Sequence, residues 1–368
     1  NAIAHELDHS RATSGVRFLK KSSLLEDVYA YNDFSHMGTN PGCELKSKVT
    51  TDMGKALLIS EHNGHMFPTK SFDTWERRQE QALRHARVLD AAMADGEHAG
   101  CFGWCMFDYP THKDFGSGDR VCHHGVMLAA YTSASQGVGR PVLAVGSSMD
   151  IGDYPGGTIG DIRVFTNADS VSLYKNDCFV TKLRKGDWKG LRHGPMMLDD
   201  TIGCLLETQE GFDKKKADLL RECLLAIQKR GLTGMNAVDM AKMGYGMVKY
   251  GLKYQDAVEL YGKYVGNWGG EATLWRLIAV KDGMVAATYT CGPGSRLHLE
   301  VSPSHTNLWE GDTYDMASIR IRILDEHGNL APYAQLPVQF TLEGAAQLAA
   351  HGCHAVAHPE GVGIAELG

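Results

Sequence analysis

Between residues 10 and 135, short apolar runs alternate with helix-patterned stretches, and this alternation limits the possible folds more than any other feature of the chain. Residues 13–18, 27–31, 55–59 and 100–107 read as strands. Between the third and fourth lies an amphipathic helix in which Phe72, Trp75, Leu83, Ala86, Leu89 and Met93 follow a spacing of three to four. Ser71 is placed to cap its start and Gly96 to end it. Apolar runs joined through helices predict parallel β/α units, because parallel neighbours need crossovers and are covered on both faces. The chain also opens as helix already under way, at Ala2-Ile3-Ala4-His5-Glu6-Leu7, with Asn1 rather than Met in front, so it is expected to be a piece of a longer protein.

Beyond Gln136 the pattern changes. Residues 141–145, 161–165, 170–174 and 178–181 are short strand signals separated by Gly, Asn and Asp turns, as in a β-sandwich. A helical interlude follows over 212–265. Ala217, Leu220, Leu224 and Ile227 share a face there and Gly231 marks a stop; weaker helical stretches cover 235–250 and 255–264. Strand signals resume at 273–279 and 285–289. A second sandwich is expected from 297–301, 317–323 and 338–342, with a turn at 325–329. The expected domains are therefore 1–135, 136–292 and 293–368, in keeping with roughly two to three domains for 368 residues.

Composition narrows the function. With 37 Lys and Arg against 44 Asp and Glu, the chain has no basic surplus with which to hold nucleic acid. No apolar run reaches 18 residues, so no helical membrane span is expected. The nine cysteines form no C-x-x-C pair and read as inert reduced thiols, which suits a reducing compartment. Neither a metal nor another cofactor is expected. Glu61-His62-Asn63-Gly64-His65 lacks the H-E-x-x-H order, and its glycine opposes a helical pair of ligands.

The densest polar cluster is Ser60-Glu61-His62-Asn63-Gly64-His65, at the carboxyl end of an apolar strand. In β/α barrels the reacting groups sit at such strand ends. Arg17, Asn32-Asp33 and Asp108-Tyr109 end the other strands similarly. A carboxylate among amides, imidazoles and aromatic rings suits glycoside hydrolysis, in which one carboxyl attacks and another protonates the leaving oxygen. Against this stand plainer readings: Glu61 as a solvated loop residue, His62 and His65 as core or surface histidines, and Trp104 as core.

The stretch Ser60-Glu-His-Asn-Gly-His-Met-Phe-Pro-Thr-Lys-Ser-Phe-Asp73 resembles the nucleophile segment of the bacterial β-galactosidases of glycoside hydrolase family 2. The resemblance extends through residues 84–90, 103–109 and 112–120, upstream through 11–17 and 28–34, and downstream through 199–203, 268–273 and 298–301. It implies a multidomain fold, α/β plus all-β: strands five to eight of a TIM (β/α)8 barrel, then two immunoglobulin-like β-sandwiches, the first with a helical insertion. It also implies a retaining β-galactosidase whose nucleophile is Glu61. Tyr31 matches a tyrosine that contacts the nucleophile, and Asn32 lies beside it at the sugar. His65 matches a histidine at the sugar hydroxyls, and Trp104 matches a tryptophan forming the sugar's floor. His124 stands where some relatives have a sugar-contacting Asn.

The Asn-x-Lys signature of related β-glucuronidases is absent from the region of the match, which disfavours a uronic acid. The family's acid/base is the Glu of an Asn-Glu pair, and no such pair occurs in the chain. The chain alone is therefore expected to be inactive. Its partners would be a β-galactoside or oligosaccharide, together with the rest of the same enzyme or a second copy across open barrel edges. Alternatives are another exo-β-glycosidase of the family, such as a β-mannosidase, a non-catalytic carbohydrate-binding or adhesion module, and a partner-binding role for the 212–265 insert.

Overall fold

The computed structural model describes residues 1–63, 67–70, 73–111, 120–126, 129–137, 139–152, 156–268, 271–309, 311–313, 315–331, 334, 336–339, 341, 354–358 and 361–365. After helix α1 (Ala2–Leu7), the first unit is a four-stranded sheet of β1 (Ser14–Arg17), β2 (Val28–Asp33), β3 (Ala56–Asn63) and β4 (His98–Trp104). The strands lie in that order and every pair is parallel. Strand β2 is covered almost throughout, with Tyr29, Ala30 and Tyr31 buried, which is why its sequence runs apolar without alternating. The outer strands β1 and β4 are largely open, exposing Val16, Phe102 and Trp104.

The crossovers are less regular than the sequence pattern suggests. Only α2 (Lys46–Val49), a single turn, lies between β2 and β3, and no helix lies between β1 and β2. The full crossover helix is α3 (Trp75–Asp95), leading to β4. Its cap is Thr74, whose side chain accepts from Arg77 N, rather than the expected Ser71, which lies outside the described residues. Leu83 and Ala86 are buried along it as the spacing predicts, and Gly96 closes it in the left-handed region at φ +70.

Two short strands, β5 (Tyr109–Pro110) and β6 (Val121–Cys122), and helix α4 (Ala129–Gln136) lead into the second unit. Here β7 (Leu143–Val145), β8 (Ile162–Thr166), β9 (Ser170–Lys175), β10 (Cys178–Lys182), β11 (Met196–Leu198), β12 (Trp275–Lys281) and β13 (Met284–Cys291) form two antiparallel sheets, ordered β10-β9-β12-β13 and β11-β8-β7. Val164, Val171, Leu173, Leu198 and Leu277, alternating along their strands, are buried in one apolar core. Strand β11 had no sequence signal of its own.

The insert comprises α5 (Leu205–Thr208), α6 (Lys214–Arg230), α7 (Ala237–Tyr250) and α8 (Tyr254–Tyr261), followed by a π-helical turn at Gly262–Gly266. Asp213 caps α6 by accepting from Lys215 N and Lys216 N. The expected face of Ala217, Leu220, Leu224 and Ile227 is buried, and three of these four join the sandwich core together with Leu260, Tyr264 and Val265. Lys175, on β9, pins the far end. Its ammonium donates to Lys263 O at 2.8 Å and Asn267 Oδ1 at 2.7 Å, and lies near the rings of Tyr264 and Trp275.

Helix α3 also joins the two units. Gln79 donates to Asp161 O at 2.7 Å and accepts from Arg163 N at 2.6 Å, so both ends of its amide are used. Asp90 accepts from Gly190 N and Leu191 N. Gly190 sits so close to the helix that a Cβ there would lie 2.2 Å from Asp90 O.

Beyond residue 293 the described residues show β14 (Leu297–Pro303) paired antiparallel with β15 (Ile319–Asp325), an isolated bridge between Leu324 and Leu330, and a hairpin of β16 (His354–His358) and β17 (Gly361–Ala365). The turn after β15 forms where expected, organised by Asp325, whose carboxylate accepts from His327 N and Asn329 N. The strand expected over 338–342 is not found: residues 338, 339 and 341 are irregular, and 340 and 342 lie outside the described residues. Among the described residues no helix is long and apolar enough to cross a membrane, and the eight described cysteines are free. Burial pushes the Cys43 thiol up to about 12 and Cys101 and Cys105 up to about 11, which keeps them protonated and unreactive.

Candidate active site at the carboxyl ends of the parallel strands

The carboxyl ends of β2, β3 and β4 bring together Asn32, Glu61 and Trp104. Strand β3 does not run regularly into this end. Tyr31 pairs with Ile59, yet the next residue, Asn32, pairs with Glu61, so β3 carries one extra residue against β2. The ladder with β4 shows the same insertion: Ile59 pairs with Cys101 and His62 with Gly103. A bulge of this kind re-aims the side chains around it. Here the Asn32 amide meets both neighbours on β3, donating from Nδ2 to Glu61 Oε2 at 3.2 Å and accepting at Oδ1 from Ser60 Oγ at 2.9 Å.

Tyr31 is buried, and its hydroxyl donates to Glu44 Oε2 at 3.3 Å. Burial, reinforced by Glu44, raises its pKa well above the usual tyrosine value, so it stays a phenol. Glu44 is itself held by Lys20 at 2.6 Å. The strand-end aspartates serve the scaffold. Asp33 accepts from Ser35 N and Glu44 N, fixing the loop after β2. Asp108 accepts from Gly125 N at 2.7 Å and lies 2.9 Å from His123 Nδ1, tying the loop after β4 to the segment before α4.

Trp104 is not core. It is 41% exposed at the end of β4, steered by a hydrogen bond from Nε1 to Tyr109 Oη at 3.2 Å and by an edge contact with that ring. Its peptide bond to Cys105 is cis. On the far side of Tyr109 lies His124, buried, its ring 6.1 Å from the tyrosine ring, and its carbonyl accepts from Cys105 N. Trp104, Tyr109 and His124 thus form a continuous aromatic wall. Tyr109 was noted from sequence only as a strand-end residue; its proximity to both neighbours comes from the loop closure through Asp108. His65 lies outside the described residues.

Next to Glu61 in sequence, His62 belongs to a group of buried imidazoles with His85 and His36. His62 is 1% exposed and its ring centroid lies 5.2 Å from that of His85 on α3. Burial pushes His62 down to about 4 and His85 down to about 3, each also disfavoured by a neighbouring imidazole, and lowers His36 as well. Gly103 leaves room for them: a Cβ there would lie 3.0 Å from the His85 ring. His85 and His36 carried no signal in the sequence beyond their positions on or beside predicted elements. Among the described residues no group of three or more His, Cys, Asp or Glu side chains is placed to hold a metal ion.

Comparison with known proteins finds similarity along most of the chain. Residues 299–360 match glycoside hydrolase family 2 C-terminal domain 5. A β-galactosidase from Thermoanaerobacterium thermosulfurigenes is 32% identical over 361 residues, covering 95% of this chain and 42% of that protein. A β-galactosidase from Thermoanaerobacter pseudethanolicus is 29% identical over 360 residues, covering 95% of this chain and 40% of that protein. The chain therefore spans about two fifths of the length of these curated relatives. Among solved structures, a β-glycosidase from Bacteroides vulgatus aligns over 91% of this chain and 39% of its own, at 13% identity and a TM-score of 0.48. The long sequence matches and the family domain agree: over nearly its whole length this chain is similar to β-galactosidases, and its residues 299–360 match a C-terminal domain of glycoside hydrolase family 2.

Proposed function

We propose that this chain supplies the nucleophile half of a retaining β-galactosidase, with Glu61 as the nucleophile. The observation that carries the reading is the placement of Glu61: it lies near the carboxyl end of a central parallel strand, held by the Asn32 amide, with the half-exposed Trp104 ending the next strand. Glu61 attacks the anomeric carbon of a terminal β-galactoside and the aglycone oxygen leaves with a proton. Water then cleaves the galactosyl ester, and the acid that gave the proton takes one back. The aromatic face of Trp104 packs against the apolar face of the sugar. His124, and His65 by the family resemblance, line the same site.

The second carboxyl must lie about 5–5.5 Å from the first for retention. Asp33 and Asp108 are committed to backbone amides and to His123, so we assign the acid/base role to a residue outside this sequence. Residues 1–135 then form the second half of a TIM barrel, completed by strands pairing with the open edges of β1 and β4. Residues 136–292 and 293–368 form two immunoglobulin-like domains, the first with the helical insertion. Two relatives named β-galactosidase, matched over 95% of the chain, support galactose as the sugar.

The test is labelling of the full-length protein with a 2-deoxy-2-fluoro-β-galactosyl inactivator, followed by peptide mapping. Label on Glu61, and loss of turnover in Glu61→Gln, is the expected result; label on any other carboxylate overturns the assignment. The isolated chain should show no turnover of an aryl β-galactoside, and robust turnover would overturn the placing of the acid elsewhere.

A further inference from the structure

We infer that Ser60 is a positioning residue for Glu61, acting through the Asn32 amide; this rests on the reading of Glu61 as nucleophile. In a regular strand, successive side chains point to opposite faces, so Ser60 and Glu61 could not both reach one group on β2. The extra residue in β3, visible against both β2 and β4, removes that restriction. Both side chains then reach the same amide, at 2.9 Å and 3.2 Å.

The order of these bonds matters. Ser60 donates its hydroxyl proton to Asn32 Oδ1, which leaves the amide NH2 as the end that faces the carboxylate. Turned over, the amide would set its carbonyl oxygen against Glu61 Oε2, oxygen against oxygen. Among the described residues the Ser60 hydroxyl is the group that donates to Oδ1 and so distinguishes the two orientations of the amide. The relay therefore does two things. It holds Oε2 in place, and it donates a hydrogen bond to the ionised form of the nucleophile, which favours that form. Asn32, expected from the resemblance to lie at the sugar, thereby also acts on the carboxylate.

The experiment uses the full-length protein, with steady-state hydrolysis of an aryl β-galactoside measured from pH 4 to 9 for Ser60→Ala and Ser60→Thr, alongside Glu61→Gln. Ser60→Ala should lower kcat roughly tenfold, the size of one lost hydrogen bond made to a charged network, with KM within about twofold. The acidic limb of its kcat/KM profile should move to higher pH. Ser60→Thr, which keeps the hydroxyl, should restore kcat to within about threefold and return the limb. Thermal melting of both variants should match the parent, because the side chain is half-buried and small. Wild-type kcat and pH profile in Ser60→Ala overturns the positioning role, as does an equal loss in both variants with an unmoved acidic limb. Full turnover in Glu61→Gln overturns the nucleophile assignment instead, whatever Ser60 does.

Discussion

Acidification from pH 7 to pH 5 should destabilise the parallel-sheet unit through His62 and His85. Both are held neutral by burial, at about 4 and about 3, against an ordinary value of 6.5. A histidine whose folded pKa is depressed stays neutral in the native state while the unfolded chain takes up a proton. Stability is then fully present above about pH 6.5 and is lost as the pH falls towards the folded values. At pH 5 the unfolded chain lies 1.5 pH units below its histidine pKa, worth about 2 kcal/mol for each ring and about 4 kcal/mol for the pair. That figure depends little on the native values, provided both rings remain neutral at pH 5. Ordinary carboxylates titrate mostly below this window. Histidine side-chain NMR provides the direct assay: the His62 and His85 signals should not titrate between pH 7.5 and 5. Amide exchange in β3 and α3 should accelerate over the same range, and His85→Gln should roughly halve the effect. Ring signals moving with a midpoint near 6.5, or exchange protection that is flat with pH, would refute the argument.

Three further outcomes follow from single contacts. Gly190→Ala places a Cβ 2.2 Å from Asp90 O and should cost about 2 kcal/mol or more, read as a lowered urea midpoint for the contact between α3 and the sandwich. Asp213→Ala removes two capping bonds from α6 and should cost about 1 kcal/mol, while Asp213→Asn should cost less. Lys175, buried and pushed down to about 8, gives a trend of the same sign in a more alkaline window: the unfolded chain holds the proton that the folded chain releases, so stability should rise by about 2 kcal/mol between pH 8 and 9.5. Lys175→Met should abolish that rise in denaturant titrations, and a rise of the same size in the variant would assign it to another group.

What the sequence revealed tracks how local the cause is. The apolar runs of β2 and β3 and the periodicity of α3 and α6 are properties of consecutive residues, and these strands and helices appear where they were expected, shifted by up to four residues at their ends. The cap of α3 moved from Ser71 to Thr74 because two residues of the same chemistry compete within one turn, and the chain's path decides between them. Strand β11 is three residues long and exists because β8 offers it a ladder and Arg184 bridges to Met197 on its other side. Residues 338, 339 and 341 have the composition of a strand but no ladder among the described residues. In the site, Glu61 was visible through its motif, and Trp104 only through resemblance, since an apolar run otherwise marks a tryptophan as core. His85 lies on the crossover helix and His62 on the strand, so their proximity depends on how α3 packs and could not be seen in either segment alone.

The bulge in β3 shows why motif and mechanism separate. Ser60 and Glu61 are adjacent in sequence, and a strand's period of two places adjacent residues on opposite faces. A reader of the motif therefore assigns Ser60 to the far face and Glu61 to the site. One inserted residue reverses that conclusion for Ser60 without changing any residue's identity, and it is defined only relative to β2 and β4. The same insertion restores the register at once, with Asp33 opposite His62, so the cost is confined to a single ladder position. Removing it should therefore separate scaffold from chemistry. Deletion of Ser60 leaves Tyr31 opposite Ile59, Asn32 opposite Glu61 and Asp33 opposite His62 in a regular ladder, so it removes the hydroxyl donor while Glu61 keeps its place opposite Asn32. We expect full-length protein carrying that deletion to retain its secondary structure by circular dichroism and to lose turnover about as far as Ser60→Ala does, roughly tenfold, because the donor to Asn32 Oδ1 is gone. Wild-type turnover would mean that the Ser60 hydroxyl does not set the Asn32 amide against Glu61.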